Sequence, residues 1–353
     1  MSMQTSIGQT VSVYGENVVL SPKAGKKDEK QSPAPTSKET VSKKGLVLWG
    51  NNTCPYVQRV RISLAERKLK YVFKLVDVVG TKSSKFVALY AKAIPHHRKR
   101  PCVPLLENRD DLSSSTSDVA IIPESSIILE YLENYFRSDK DVPSLRPEGA
   151  LLSARCSLYV QLFLQEMKPL TYEILNAATM SALTDIVDKG KRACNMLEEQ
   201  LKCIEHARSG SDSDGEVKAE GEIKNRPKQD CFVLGDSFSL AEATLAPHLQ
   251  RLVFIAPKLR REIITTTRKP NANGLDLFKH VFGADKCPRF CRWASAVLSR
   301  PSVVATFNEE EVTELMKRGV VVWKDAGGMK GFKTRMEQAK AGLLVHLSAR
   351  SRK

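Results

Sequence analysis

The segment Asn52-Thr-Cys-Pro-Tyr-Val57 sets a cysteine directly before a proline, where a short apolar run gives way to a helical pattern. A cysteine at a helix start faces unsatisfied backbone N–H groups and the positive end of the helix dipole. Both favour the thiolate, which is the nucleophile, so Cys54 is the first candidate for chemistry. Arg59 and Arg61 either strengthen this field or stay solvated. The competing reading makes Cys54 a buried packing residue. Position 57 is valine, so the site cannot close its own disulfide and needs an external thiol to finish a cycle. Two further features follow. Val103-Pro104 opens an apolar run, either as an edge-strand proline or as part of a binding loop. Pro123-Glu-Ser-Ser126 opens a helical pattern, where Ser125 either caps the helix or holds a carboxylate.

The elements that must position these residues alternate. Leu46-Val-Leu-Trp49 reads as a strand, Pro55–Lys68 as a helix with proline at its first turn, and Tyr71–Val79 as a strand. A helix over 83–93, strands at Val103–Leu106 and Val119–Ile122, and a helix over Glu124–Phe136 complete the order β-α-β-α-β-β-α. Such alternation predicts a central sheet covered by helices. Beyond it the pattern is helical only, over 151–178, 181–207, 243–256, 275–282 and 288–299. Ser239-Leu-Ala-Glu242 is a capping box, with Phe238 placed as a hydrophobic staple. The expected organisation is a disordered tail over 1–44, an α/β domain over 45–138 and a linker over 139–150. An all-helical domain over 151–306 with a mobile loop at 208–230 follows, and then a charged extension over 307–353 with short helices near 309–318 and 331–348.

Cys54-Pro-Tyr56, Val103-Pro104 and Glu124-Ser125, in that order and at that spacing, resemble the omega-class glutathione transferases. Gly235-Asp-Ser-Phe-Ser-Leu-Ala-Glu242, Pro288-Arg-Phe-Cys-Arg-Trp293 and Arg300-Pro-Ser302 resemble the same family's helical half, so the likeness spans roughly 45–306. The resemblance implies a thioredoxin-like α/β N-terminal domain joined to an all-α C-terminal glutathione transferase domain. It implies that Cys54 forms a mixed disulfide with glutathione, that Val103 beside a cis Pro104 binds the cysteinyl backbone, and that Glu124 and Ser125 take the γ-glutamyl amine and carboxylate. A family lysine contacts the glycyl end; within Pro95-His-His-Arg-Lys-Arg-Pro101, Lys99 matches it best and Arg98 next. Trp293 is taken as a core residue. The implied activity is glutathione-dependent reduction of a small disulfide, dehydroascorbate or a glutathionyl conjugate, with weak conjugation of electrophiles. The family is often dimeric, so a homodimer is an allowed partner. The longer polar loop 107–118, the 208–230 insertion and both tails depart from the family's minimal pattern.

Composition narrows the alternatives. The formal charge of +15 is dispersed: residues 1–44 hold seven lysines against four acids, 307–353 hold ten basic against six acidic residues, and the body carries the remainder. That distribution predicts nonspecific attraction to acidic partners and no specific nucleic-acid recognition. Eight cysteines at irregular spacings form no zinc-knuckle pair, so no metal is expected and a reducing, cytoplasmic setting is the simplest reading. No run of about 18 apolar residues is present and the first residues lack the order of a secretory signal. A second class of function is a non-catalytic interaction protein resembling the chloride intracellular channels, which share the omega-like fold. The basic stretch 328–353 would be its membrane contact, but Arg59, Arg61, Glu66, Arg67 and Lys68 make Pro55–Lys68 a poor inserting helix, so membrane contact is not expected.

Overall fold

The computed structural model describes residues 10–12, 17–19, 45–78, 81–95, 101–110, 119–177, 179–208, 231–266 and 286–325. Within the segment expected to be disordered, β1 (Thr10–Ser12) and β2 (Asn17–Val19) pair antiparallel with Val11 opposite Val18, a pairing suited to β-branched residues. The rest of that segment lies outside the described residues.

The α/β domain is built on β3 (Leu46–Gly50), whose five residues are all buried. It lies between a parallel neighbour, β4 (Tyr71–Leu75), and an antiparallel one, β5 (Leu105–Asn108), which pairs in turn with β6 (Ala120–Pro123). Side chains alternate across a strand, so β3 feeds two cores. Leu46 and Leu48 join Val57, Val60 and Leu64 of α1 (Pro55–Glu66) and Ile128 and Leu132 of α3 (Ser125–Tyr135). Val47 and Trp49 face Phe86 and Tyr90 of α2 (Ser84–Ala93), which Ser83 caps by accepting from the Phe86 N–H. The alternating order expected from sequence is present, and the strands are shorter than the apolar runs that announced them. Gly50 has a steric reason: a Cβ there would lie 2.5 Å from Val57 Cγ1.

The helical domain comprises α4 (Ala150–Leu162), α5 (Leu170–Asn176), α6 (Met180–Arg208), α7 (Leu240–Gln250), α8 (Ala256–Thr266), α9 (Pro288–Ser299), α10 (Pro301–Ala305) and α11 (Glu309–Asp325). Two of the long patterns are not continuous α-helices. A π-helical turn over Phe163–Met167 followed by Pro169 breaks the first, and a π-helical turn over Arg251–Ile255 joins α7 to α8. The helix expected at 275–282 lies outside the described residues. Trp293 is fully buried against Tyr159 and Phe163. The capping box forms, and its Glu242 carboxylate also accepts from the Val233 N–H at 2.8 Å and Trp293 Nε1 at 2.9 Å.

The segment 139–150 is fastened at Leu145, whose N–H donates to Glu133 and whose carbonyl accepts from the Leu240 N–H. Likewise α11 is no loose tail at its start: Lys258 Nζ meets Glu309 Oε1 at 2.9 Å, and Phe254 packs on Phe307. Between the domains, Glu66 of α1 accepts from Arg300 Nε at 2.8 Å, from Arg300 NH2 at 2.7 Å and from the Ser302 hydroxyl. No described helix is long and apolar enough to cross a membrane.

Candidate functional site

The turn between β3 and α1 is held by Asn51. Its Oδ1 accepts from the Thr53 N–H (3.0 Å) and hydroxyl (2.6 Å), its Nδ2 donates to Val76 O (3.1 Å), and its carbonyl accepts from the Cys54 N–H (3.2 Å). These bonds deliver Cys54 to the N-cap of α1 with Pro55 at the first helical position. Its sulfur makes no full capping bond, yet the Val57 and Tyr56 N–H groups face it and favour the thiolate.

The net direction corrects the sequence expectation. Burial pushes the Cys54 thiol above its ordinary value, and it outweighs the N–H groups of Val57 and Tyr56 and the charges of Arg251 and Arg59 that pull it down. A helix N-terminus stabilises charge over about one turn, whereas loss of water acts on the whole sulfur. Cys54 is therefore a thiol at neutral pH in the protein without ligand.

Val103 packs on the same core as Cys54, and the Val103–Pro104 bond is cis. Glu124 is exposed and takes φ +67°, a conformation unusual for a residue with a side chain. This bend ends β6 and starts α3, with the Ile128 N–H bonded to Glu124 O at 2.9 Å. Ser125 is buried at the first position of α3. Lys99 and Arg98 lie outside the described residues. Cys102 is exposed.

Arg59, open to two readings from sequence, is buried. One NH group lies 3.4 Å from Ser125 Oγ, the other 3.1 Å from His248 Nε2, and the guanidinium stands 5.1 Å from the Tyr56 ring centroid. It thus touches the start of α3 while its charge reaches Cys54. Arg61 packs its guanidinium over Phe73 and donates to Asn52.

Sequence reading missed the helical domain's contribution. Arg251, in the π-helical turn, donates to Thr53 O at 2.7 Å, Gln58 Oε1 at 2.9 Å and Pro247 O at 2.6 Å. Gln58 Nε2 donates to Gln250 at 2.6 Å. Burial lowers the Arg251 pKa to about 10, leaving it cationic at neutral pH. Burial, then the charges of Arg59, Lys168 and Arg251, hold His248 well below the usual imidazole range, so it is neutral. The available signal was a polar cluster, His248, Gln250 and Arg251, on a helix otherwise rich in Leu and Ala. Among the described residues, no group of three or more His, Cys, Asp or Glu is arranged to hold a metal.

The arrangement offers one sulfur at a helix mouth, a strand beginning after a cis-proline, and a helix start bearing Glu124 and Ser125. Two buried cations bridge these parts to the second domain. Residues 48–140 match the family described as glutathione S-transferase, N-terminal domain, and residues 180–276 match glutathione S-transferase, C-terminal domain. No curated protein matches the chain. Among solved structures, the Tau-class glutathione S-transferase of mango (Mangifera indica) is similar over 77% of this chain and 97% of its own, with 19% identity and a TM-score of 0.53. Omega 3C glutathione transferase of Trametes versicolor is similar over 80% of this chain and 92% of its own, with 20% identity and a TM-score of 0.51.

Proposed function

We propose that this chain, which carries the N- and C-terminal domains of the glutathione S-transferases, is a glutathione-dependent thiol transferase of omega type working through Cys54. The observation that carries the proposal is the placement of a single cysteine at the N-cap of α1, packed on the core that Val103 also joins. Glutathione is the cosubstrate. Val103 would pair with its cysteinyl backbone, while Glu124 and Ser125 would take the γ-glutamyl amine and carboxylate. Lys99 is the proposed contact for the glycyl end. A protein of this kind would work in the reducing cytoplasm.

In the first step the Cys54 thiolate attacks the glutathionyl sulfur of a mixed disulfide, and the substrate thiolate leaves. In the second, glutathione thiolate attacks the Cys54-bound glutathionyl sulfur, forming glutathione disulfide and returning the Cys54 thiolate. Burial that disfavours a charged sulfur does not penalise the neutral mixed disulfide. A thiol of high pKa is also a slow leaving group, so the second step should limit the rate and the mixed disulfide should accumulate. The N–H groups of Val57 and Tyr56, with Arg251 and Arg59, ease both departures by favouring the thiolate. Small disulfides, dehydroascorbate and glutathionyl conjugates are the proposed substrates. Simple conjugation of electrophiles would be weak, because Cys54 would trap glutathione instead.

A hydroxyethyl-disulfide assay with glutathione tests the proposal. Activity should be present in the wild type and lost in Cys54→Ser; activity that survives the substitution rejects Cys54 as nucleophile. The raised Cys54 thiol favours one second reading, a glutathione-transferase-like interaction protein that binds without turnover. Glutathione binding with no wild-type turnover between pH 7 and about pH 9, near the ordinary thiol range, would establish it.

A further inference from the structure

Cys54-Pro55 is not the chain's only cysteine-proline helix start. Cys287 is the N-cap of α9 and Pro288 its first residue, repeating the layout in the helical domain. There the neighbours differ. Cys194 of α6 is buried and hydrogen-bonds through its thiol to the Cys287 sulfur. The Cys287 thiol in turn donates to Asn195 Oδ1 at 3.3 Å. One turn along α6, Glu198 accepts the Phe290 N–H at 2.8 Å and Arg289 NH1 at 3.5 Å, clamping the start of α9 onto α6. Two thiols on separate helices are thus held in direct contact by bonds on either side.

The pair is also polarised. The Cys194 hydrogen bond draws the Cys287 thiol below its ordinary value against burial and the Glu198 charge, with Lys202 and Lys286 assisting. The same contact, then burial, pushes Cys194 far upward. Cys287 is therefore the thiol that ionises and Cys194 the one that keeps its proton. The third cysteine, Cys291, sits one turn further along α9, its N–H bonded to Cys287 O at 3.0 Å. Residues four apart on a helix hold their Cβ atoms about 5–6 Å apart, beyond the roughly 4 Å a disulfide needs, so Cys194 is the better partner.

We propose that Cys194 and Cys287 are a redox-active dithiol, separate from Cys54, which a peroxide closes to a disulfide linking α6 to α9. Cys287 thiolate attacks hydrogen peroxide, displacing hydroxide and becoming a sulfenic acid. The Cys194 thiol then attacks that sulfur and water leaves, so two thiols and one peroxide give one disulfide and two waters. A small dithiol reverses the reaction, its own sulfurs taking up the oxidation. The burial of both residues selects a small oxidant over a peptide disulfide.

The test uses full-length Cys54→Ser protein, so that adducts at Cys54 do not intrude. After limited hydrogen peroxide and denaturing alkylation, peptide mass spectrometry should find Cys194 joined to Cys287. The closed form should melt about 5 °C higher, because the link spans a long loop, and dithiothreitol should reverse the shift. In Cys194→Ser the sulfenic acid at Cys287 should persist and react with dimedone. The proposal is overturned if both cysteines remain alkylatable while exposed Cys102 and Cys203 oxidise, or if Cys287 pairs with Cys291. The crosslink in protein with both cysteines intact decides the matter even if the variant does not fold.

Discussion

Replacing Arg251 by glutamine should separate the two influences on the Cys54 thiol. Arg251 is a buried cation whose NH2 group binds the carbonyl of Thr53, the residue before the cysteine. An opposite charge within a few ångströms moves a pKa by about one to three units. Here the backbone N–H groups act more strongly than the guanidinium, which places Arg251→Gln near one unit, or about 1.4 kcal/mol. The thiolate fraction below the pKa would then fall about tenfold, since each unit is a factor of ten. Iodoacetamide labelling of the Cys54 peptide, followed against pH by mass spectrometry, reads this directly. The profile should shift to higher pH with its high-pH plateau unchanged, and Arg251→Lys should recover most of the shift by restoring the charge. The three hydrogen bonds Arg251 makes would be lost as well, at about 1–3 kcal/mol of stability, so circular dichroism must show the fold intact. Superimposable wild-type and Arg251→Gln profiles would refute the assignment of Arg251 as a thiolate-stabilising group.

Glu66→Gln should cost about 2 kcal/mol by removing the acceptor of Arg300 and Ser302, measured by urea unfolding. Burial raises the Glu66 pKa, but the Arg300 and Ser302 hydrogen bonds outweigh it and hold it below 4.5. Its stabilisation is therefore present above the unfolded value and lost as pH falls from about 4.5 through the folded value. The wild-type melting temperature should drop in that window more steeply than the variant's. Ser125→Ala should weaken glutathione binding about tenfold by calorimetry, with the fold and the Cys54 labelling profile little changed, because one hydrogen bond to a carboxylate is worth about 1.5 kcal/mol.

The α/β half was legible because its signals are local. Strict alternation of Leu46 and Leu48 against Val47 and Trp49 marks a strand covered on both faces, and both cores are present. The capping box at Ser239 and Glu242 was legible for the same reason, two side chains three residues apart serving their own helix start. The site was only half legible. Its helix starts and its proline are written in short motifs, but Arg251 reaches Thr53 across 198 residues, and no periodicity reveals which helix docks on which. The direction of the Cys54 shift failed for that reason. The helix mouth is visible in sequence, whereas the burial that outweighs it depends on how the second domain packs on α1. Arg59 was ambiguous along the chain because a charged helical residue is usually solvated, and only the docking of His248 and Ser125 around it shows otherwise. The π-helical turns at 163–167 and 251–255 left no mark in the apolar pattern, which continues across both.

The central claim, that Cys54 carries glutathione as a covalent intermediate, is tested by incubating the reduced protein with glutathione disulfide and mapping the adduct by peptide mass spectrometry. The account predicts one glutathionyl group on Cys54, formed faster as pH rises and released slowly by added glutathione. An active enzyme whose Cys54 stays unmodified, with adducts confined to exposed Cys102 or Cys203, would contradict it.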